Sequence, residues 1–443
     1  MKINARKMAL KILNHIELEH VFSHHALNHF FETYEVSNID RRFISNLILG
    51  VLEHKMLIDF YIRKFSKVRF GKINHEVVNI LRLGIYQIMF MDKVPESAAV
   101  NESVKLAKRI SPAQGNYVNG VLRAFIRAYE EVPLPDERRH PDEYLSIKYS
   151  HPKWLVNLWL DAYGYDEAKA LMAANNMTPP LSIRVNRLKT TRDDFLKVLE
   201  AAGIAATPSK LNPDGILIQS VNQMNITSLP RFKEGYFQIQ DISSMMIGHI
   251  ADVKPGDFVM DVCAAPGGKS CHMAERMHNR GRVLARDISE QKCQLVTDNA
   301  SRLGITIIET AVFNALHFDK SLRQSADVVL VDAPCSGLGI IRRKPDIKYN
   351  KQPEDLEALA GIQREILNIA SEYVKVNGTL IYSTCTLNEA ENDGQVNAFL
   401  AHHDSFERVS LAGIVPGQSE TLTLLPHQHQ TDGFYIAKMK RIK

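Results

Sequence analysis

Asp257-Phe-Val-Met-Asp261-Val-Cys263-Ala-Ala-Pro-Gly-Gly-Lys269 opens as an apolar strand and breaks into a turn of small residues, after which Ser270 to Met277 follows a helical pattern. A strand delivered into such a turn and then a helix begins an α/β unit. Small side chains there let a ligand approach the backbone beyond the strand's carboxyl end. Outward from this stretch, Arg282 to Ala285, Ile305 to Thr310, Asp327 to Val331 and Thr379 to Tyr382 read as strands separated by helical segments. The alternation predicts an α/β fold with a doubly wound, mainly parallel sheet. The turn matches neither Gly-x-Gly-x-x-Gly nor a Walker loop, which counts against a dinucleotide or a nucleoside triphosphate. Asp287 ends the next strand, about twenty residues beyond the glycines, where a carboxylate accepts hydrogen bonds from both ribose hydroxyls. A nucleoside cofactor is the expectation.

Two further motifs, Asp332-Ala-Pro-Cys335-Ser-Gly and Ser383-Thr-Cys385-Thr, place a thiol at the end of a strand, where such sheets collect ligands. The chain has five cysteines, all between residues 263 and 385. Their odd number and spacing make neither a disulfide framework nor a paired metal site, so free thiols in a reducing compartment are expected. Cys271 and Cys293 read as small buried apolar side chains, and Cys263 as packing for the turn. There are 17 histidines, but no His-Glu-x-x-His or Cys-x-x-Cys companion, and no metal is expected.

At 443 residues, 45% hydrophobic and 23% charged, the chain is of ordinary globular composition. It is long enough for several domains of roughly 100 to 200 residues. No apolar run approaches the roughly 18 residues that cross a bilayer, and the charged start resembles no leader, so no membrane and a cytoplasmic location are expected. The net charge is only +4, but Met1 to Ala128 holds 19 Lys and Arg against 11 Asp and Glu. Apolar residues recur there at helical spacing, as in Phe43, Leu47, Ile48, Val51 and Leu52. Residues 1–128 are therefore expected to form an all-α domain whose cations Arg63, Lys64, Lys67, Arg69 and Lys72 suit a phosphate backbone. Residues 129–144, rich in proline and charge, read as a linker. Residues 145–232 read as a small α+β module, and 233–443 as the α/β domain.

The three motifs around Cys263, Cys335 and Cys385 resemble the cofactor turn and two cysteine motifs of RNA cytosine-C5 methyltransferases of the Sun or Fmu type. The likeness continues through Gln240-Asp-Ile-Ser-Ser, Arg342-Arg-Lys-Pro-Asp346, Glu389-Ala-Glu-Asn392 and Asp432-Gly-Phe-Tyr. The helical start resembles a NusB-type RNA-binding domain through Asp40-Arg-Arg-Phe, Leu81-Arg-Leu-Gly-Ile-Tyr-Gln, Pro95-Glu-Ser-Ala-Ala-Val-Asn-Glu and Tyr117-Val-Asn-Gly-Val-Leu-Arg. The resemblance implies a Rossmann-like methyltransferase domain that uses S-adenosyl-L-methionine. It would bind the cofactor through Cys263, Ala264, Ala265, Pro266, Gly267, Gly268 and Lys269, with the ribose on Asp287 and further contact from Asp332. Asn314 stands where the family has an acid facing the adenine amine. The implied substrate is 16S ribosomal RNA or a small-subunit assembly intermediate, and the implied state is a monomer.

Carbon 5 of cytosine is too electron-poor to attack a methyl sulfonium unless a thiolate first adds to carbon 6, and a base must later remove the carbon-5 proton. The resemblance makes Cys385 the nucleophile, gives Cys335 a role in product release, sets Asp332 against the base and lets Lys269 orient cofactor or base. The run Arg342-Arg-Lys344 is expected to contact RNA phosphate. A stacked base exposes no path to carbon 6, so the target is expected in single-stranded or flipped form. Two other readings stay open, a DNA cytosine-C5 methyltransferase attacking through Cys335 and a non-catalytic RNA-binding assembly factor.

Overall fold

A computed structural model describes residues 4–219, 226–414 and 417–443. Internal packing divides the chain into two compact units, Met1–Met177 with Ile341–Lys351, and Thr178–Ile340 with Gln352–Lys443.

The first unit is helical, as its periodicity predicts. Helices Ala5–Leu18, Ser23–Thr33, Asn38–Glu53, Lys55–Phe65, His75–Phe90, Glu96–Lys108 and Pro112–Ala128 bury Ile44, Leu47, Ile48, Ile58, Ile80, Leu81, Val118 and Phe125 in one core. The side chains of Asn4, Ser37, Asn74 and Ser111 cap four of these helices by accepting first-turn backbone N–H groups that would otherwise lack partners. Helices Pro141–Tyr149, Lys153–Tyr163 and Tyr165–Asn175 lie in the same unit. The proline- and charge-rich stretch between residues 129 and 144 is partly packed. Val132 and Leu134 lie against the helical core, and the Glu137 carboxylate accepts from the Tyr165 hydroxyl and the Lys169 ammonium. The structural cut at Met177 therefore differs from the sequence division at 128 and 144, which weighed proline content but could not register these pairings.

The inserted segment Ile341–Lys351 also belongs to this unit, and it changes the reading of Arg342-Arg-Lys344. Arg342 is buried, and the Asp346 carboxylate accepts from Ser23 N at 2.6 Å and from Ser23 Oγ at 2.9 Å. Lys348, fully buried, donates to the Glu53 carbonyl at 3.0 Å and to Asn176 Oδ1 at 3.3 Å, and the Tyr349 hydroxyl donates to the Leu52 carbonyl at 2.9 Å. The motif expected to face RNA thus leads into a buried anchor, and Arg342 is no solvated phosphate contact.

The second unit contains two sheets. Strands β1 (Leu181–Val185), β2 (Ala206–Pro208), β3 (Gly215–Ile218) and β4 (Phe237–Ile239) form an antiparallel sheet in the order β2-β3-β1-β4. Phe195 and Leu199 of helix Arg192–Ala201 cover one face, against Ile183, Val185, Ile216 and Phe237. Strand β4 lies past the expected boundary at residue 232, because its partner is β1 rather than its neighbour in sequence.

The larger sheet holds β5 (Phe258–Asp261), β6 (Arg282–Asp287), β7 (Ile308–Val312), β8 (Ala326–Asp332), β9 (Val374–Thr384), β10 (Phe406–Arg408), β11 (Leu422–Leu424) and β12 (Phe434–Arg441). Its order is β10-β12-β9-β8-β5-β6-β7, with β11 also on β12, and β9 through β7 run parallel. The chain winds outward from β5 to β7 and then returns to β8 on the other side of β5. The carboxyl ends of β5 and β8 therefore flank a topological switch point, the place where open α/β sheets bind ligands. Three antiparallel strands complete the edge beyond β9, an addition that the parallel pattern did not predict.

The smaller sheet grips the helix that follows the glycine turn. Arg184 of β1 donates from Nη2 to Glu275 Oε1 at 2.7 Å, from Nη1 to the Gly268 carbonyl at 2.7 Å, and also to Gln240 Oε1. Both Arg184 and Glu275 are excluded from solvent.

Candidate active site

The turn after β5 enters helix Gly268–Arg276 through Gly267, whose φ of +98° lies in the left-handed region. A Cβ at Gly267 would meet Val296 Cα at 3.0 Å, so glycine is required both by conformation and by space. The Asp287 carboxylate, at the end of β6, accepts from Ala265 N at 2.9 Å and from Ile288 N at 2.8 Å, and pairs with Lys292 at 3.0 Å. The ribose-binding candidate is thus tied to the turn itself.

A cavity of about 370 Å³ opens at this switch point. Cys263, Ala265, Asp287, Asn314 and Asp332 line it together with Ile288, Phe313, Pro334, Ile362 and Ile366. Its size falls in the range of small-molecule sites. Ile288 and Ile362 are 61% and 38% exposed, an unusual position for isoleucine beside a carboxylate. A polar rim and apolar walls of this kind fit a nucleoside, with hydroxyls on Asp287 and a base against the isoleucines. Sequence reading missed these apolar walls, since a lone isoleucine after a strand carries no signal of its own.

Ala264, Pro266, Gly267, Gly268 and Lys269 do not line this cavity. Ala264 is buried against Ala285 and Val296, Pro266 faces solvent, and the glycines shape the turn. Lys269 reaches instead to Asp332, with Nζ donating to Oδ2 at 2.5 Å. Burial by itself would lower the Lys269 ammonium, but Asp332, with Cys385 and Asp261 nearby, more than reverses this and raises it. Ser383 Oγ donates to the other Asp332 oxygen at 2.8 Å. Burial pushes the Asp261 carboxyl up to about 7, against a hydrogen bond from Ser270 and with the Asp332 charge adding to the rise.

Asn314 does line the cavity, but its Oδ1 already accepts from Leu316 N at 3.0 Å. A second lone pair on that oxygen remains for an adenine amine, without the help of a charge. Asn314→Asp is expected to tighten S-adenosylmethionine binding by about 1 kcal/mol, or about fivefold in Kd. Titration calorimetry finding the Asp variant no tighter would remove Asn314 from the adenine edge.

Cys335 follows β8, Cys385 comes directly after Thr384, the last residue of β9, and their sulfurs lie 3.2 Å apart. The hydrogen bond with Cys385, then burial, then the nearby Glu391 charge hold the Cys335 thiol well above its ordinary range, so it stays protonated at neutral pH. Gly339 and Gly433 pack the loops tightly, since Gly339 N donates to the Cys385 carbonyl at 2.9 Å and a Cβ at Gly339 would meet the Gly433 carbonyl oxygen at 2.1 Å. Cys271 and Cys293 are buried. Among the described residues, no group of three or more His, Cys, Asp or Glu side chains could hold a metal, and no helix is long and apolar enough to cross a membrane.

Comparison with known proteins accords with this arrangement. A family described as 16S rRNA methyltransferase RsmB/F matches residues 249–440, the NusB family matches 3–127, and an RsmF/B-like ferredoxin-like domain matches 151–225. A Bacillus subtilis protein described as "probable ribosomal RNA small subunit methyltransferase B" is 37% identical over 99% of both chains. Ribosomal RNA small subunit methyltransferase B of Serratia proteamaculans is 33% identical over 91% of both. The crystal structure of PH0851 superimposes with a TM-score of 0.81 over the full length of both chains at 27% identity.

Proposed function

The chain belongs to the ribosomal RNA small subunit methyltransferase B family, S-adenosylmethionine-dependent rRNA methyltransferases of the RsmB/F kind, and from that premise we propose that it methylates carbon 5 of a cytosine in 16S ribosomal RNA through a covalent adduct on Cys385. The observation that carries this reading is the pair of sulfurs 3.2 Å apart, beside an Asp332 carboxylate that lines the cofactor cavity.

Asp287, Asn314 and the backbone of the Cys263–Ala265 turn would hold the cofactor, with Ile288 and Ile362 against its base. The cofactor supplies an electrophilic methyl group to carbon 5. Cys385 adds to carbon 6, forming a carbon–sulfur bond and moving the C5–C6 electron pair toward carbon 5. Lys269 supplies positive charge beside the attacking sulfur, where a thiolate needs it. Asp332, fixed by Lys269 and Ser383, meets the polar edge of the base. The carbon-5 proton then passes to solvent water, its C–H electron pair re-forms the C5–C6 double bond, and the carbon–sulfur bond breaks with its electron pair returning to Cys385 as thiolate. Cys335, its sulfur 3.2 Å from that of Cys385, has its part in this release.

In this reading residues 1–128 supply RNA contacts and residues 145–232 position the strand. The protein acts as a monomer in the cytoplasm without a metal. Bisulfite sequencing of 16S rRNA from cells with and without the protein is expected to show one cytosine whose protection disappears with it. An unchanged protection pattern, together with no incorporation of labelled methyl into undermethylated small subunits, would favour a non-catalytic assembly factor.

A further inference from the structure

Both cysteine loops converge on one buried carboxylate that the chemistry above does not use. Glu391 is excluded from solvent in the short helical turn Glu389–Glu391. Its Oε2 accepts from Ser336 N at 2.8 Å, and its Oε1 accepts from Ser336 Oγ at 2.5 Å. Thr386 Oγ1 lies 2.7 Å from Ser336 Oγ and 3.4 Å from Oε1, and with the Ser336 proton on Glu391 the shorter contact takes the Thr386 proton, so Thr386 reaches the carboxylate through Ser336. Ser336 is the residue after Cys335, and Thr386 is the residue after Cys385. Two more donors close the ring, Asn388 Nδ2 to Oε1 at 3.1 Å and Gln363 Nε2 to Oε2 at 2.8 Å. Gln363 Nε2 also holds the Pro334 carbonyl at 2.9 Å, on the other side of Cys335. The Glu391 carbonyl in turn accepts from the Tyr382 hydroxyl of β9 at 2.7 Å.

We propose that Glu391 is a positioning residue that sets the two catalytic sulfurs against each other, so that release follows attack. The inference rests on the two-cysteine reading above and deepens it. A buried carboxylate is costly, and packing alone would be served as well by apolar residues. What a carboxylate offers is acceptor capacity on both oxygens and no donor, which matches the four donors that converge on it, Ser336 N, Ser336 Oγ and Asn388 Nδ2 from the two cysteine loops and Gln363 Nε2 from helix Pro353–Ser371. An amide of the same shape turns one oxygen into a donor and must push one loop away.

The test compares the full-length wild type, Glu391→Gln, Glu391→Asp and Cys385→Ala on 16S rRNA. For Glu391→Gln, cofactor and RNA affinities are expected within about twofold of wild type while kcat falls about 10²-fold, the loss that a misplacement near 1 Å produces. A denaturation-resistant protein–RNA adduct is expected to accumulate on Glu391→Gln and to diminish again on Glu391→Asp, which restores acceptors. Wild-type turnover by Glu391→Gln overturns the proposal. So does a loss of kcat matched by equal losses of cofactor affinity and melting temperature without any adduct. If Glu391→Gln fails to fold, Ser336→Ala decides, with wild-type turnover counting against and adduct accumulation in favour. Full activity of Cys385→Ala would instead remove the underlying two-cysteine reading, whatever the Glu391 variants do.

Discussion

Cys385→Ala is expected to lower methyl transfer by at least about 10⁴-fold, because removing a covalent nucleophile leaves only binding and orientation to act on the ring. Cys335→Ala should behave differently. The attacking sulfur remains, cofactor binding is untouched, and the adduct forms but leaves slowly for want of the neighbouring thiol at 3.2 Å. A denaturing gel of each variant mixed with 16S rRNA and cofactor separates the two. A band of protein-linked RNA is expected to be absent with Cys385→Ala and stronger than wild type with Cys335→Ala. The reverse pattern would transfer the nucleophile to Cys335, the arrangement expected of a DNA-type enzyme.

Arg184→Ala is expected to cost about 3 to 5 kcal/mol of stability, the usual result of leaving a buried charge without its partner. Glu275 is the charge left behind. Burial already raises its carboxyl, and Arg184 is the main influence holding it down. The same substitution frees the Gly268 carbonyl at the start of the helix behind the cofactor turn, so affinity for S-adenosylmethionine should fall together with stability. Denaturant unfolding and calorimetry report the two losses separately. The double variant Arg184→Met, Glu275→Leu should recover most of the stability, since neither charge then remains buried alone. A single variant as stable as wild type would show that this ion pair does not hold the two sheets' elements together.

The parts of the fold that were legible in sequence are those with a local cause. The strand, turn and helix around Asp261 to Lys269 follow from residues that are neighbours in the chain, and so do the parallel strands and the capped N-terminal helices. What stayed hidden depends on partners far away. Strand β12 alternates only over the four residues Ala437 to Lys440, yet it lies between β9 and the short edge strands. Asp346 and Lys348 look like surface charges until Ser23 and the Glu53 carbonyl are placed beside them. The candidate chemistry was legible in the same partial way. Cys335, Cys385 and Asp332 announce themselves by motif, whereas Ile288 and Ile362 become visible only once the cavity exists. Glu391 stood in a motif that signalled resemblance but no role.

The excursion of Ile341–Lys351 makes the polypeptide's architecture that of a threaded fabric and not of beads on a string. Backbone passes between the two units at residues 177, 340 and 351, so no single cut yields two self-sufficient fragments. Deleting the amino-terminal third would strip the sockets of Ser23, Leu52 and Glu53, leaving the Asp346 carboxylate without its Ser23 donors and Lys348 and Tyr349 each short of one acceptor. An engineer wishing to transplant the helical portion onto another catalyst would have to carry this eleven-residue stitch along with it.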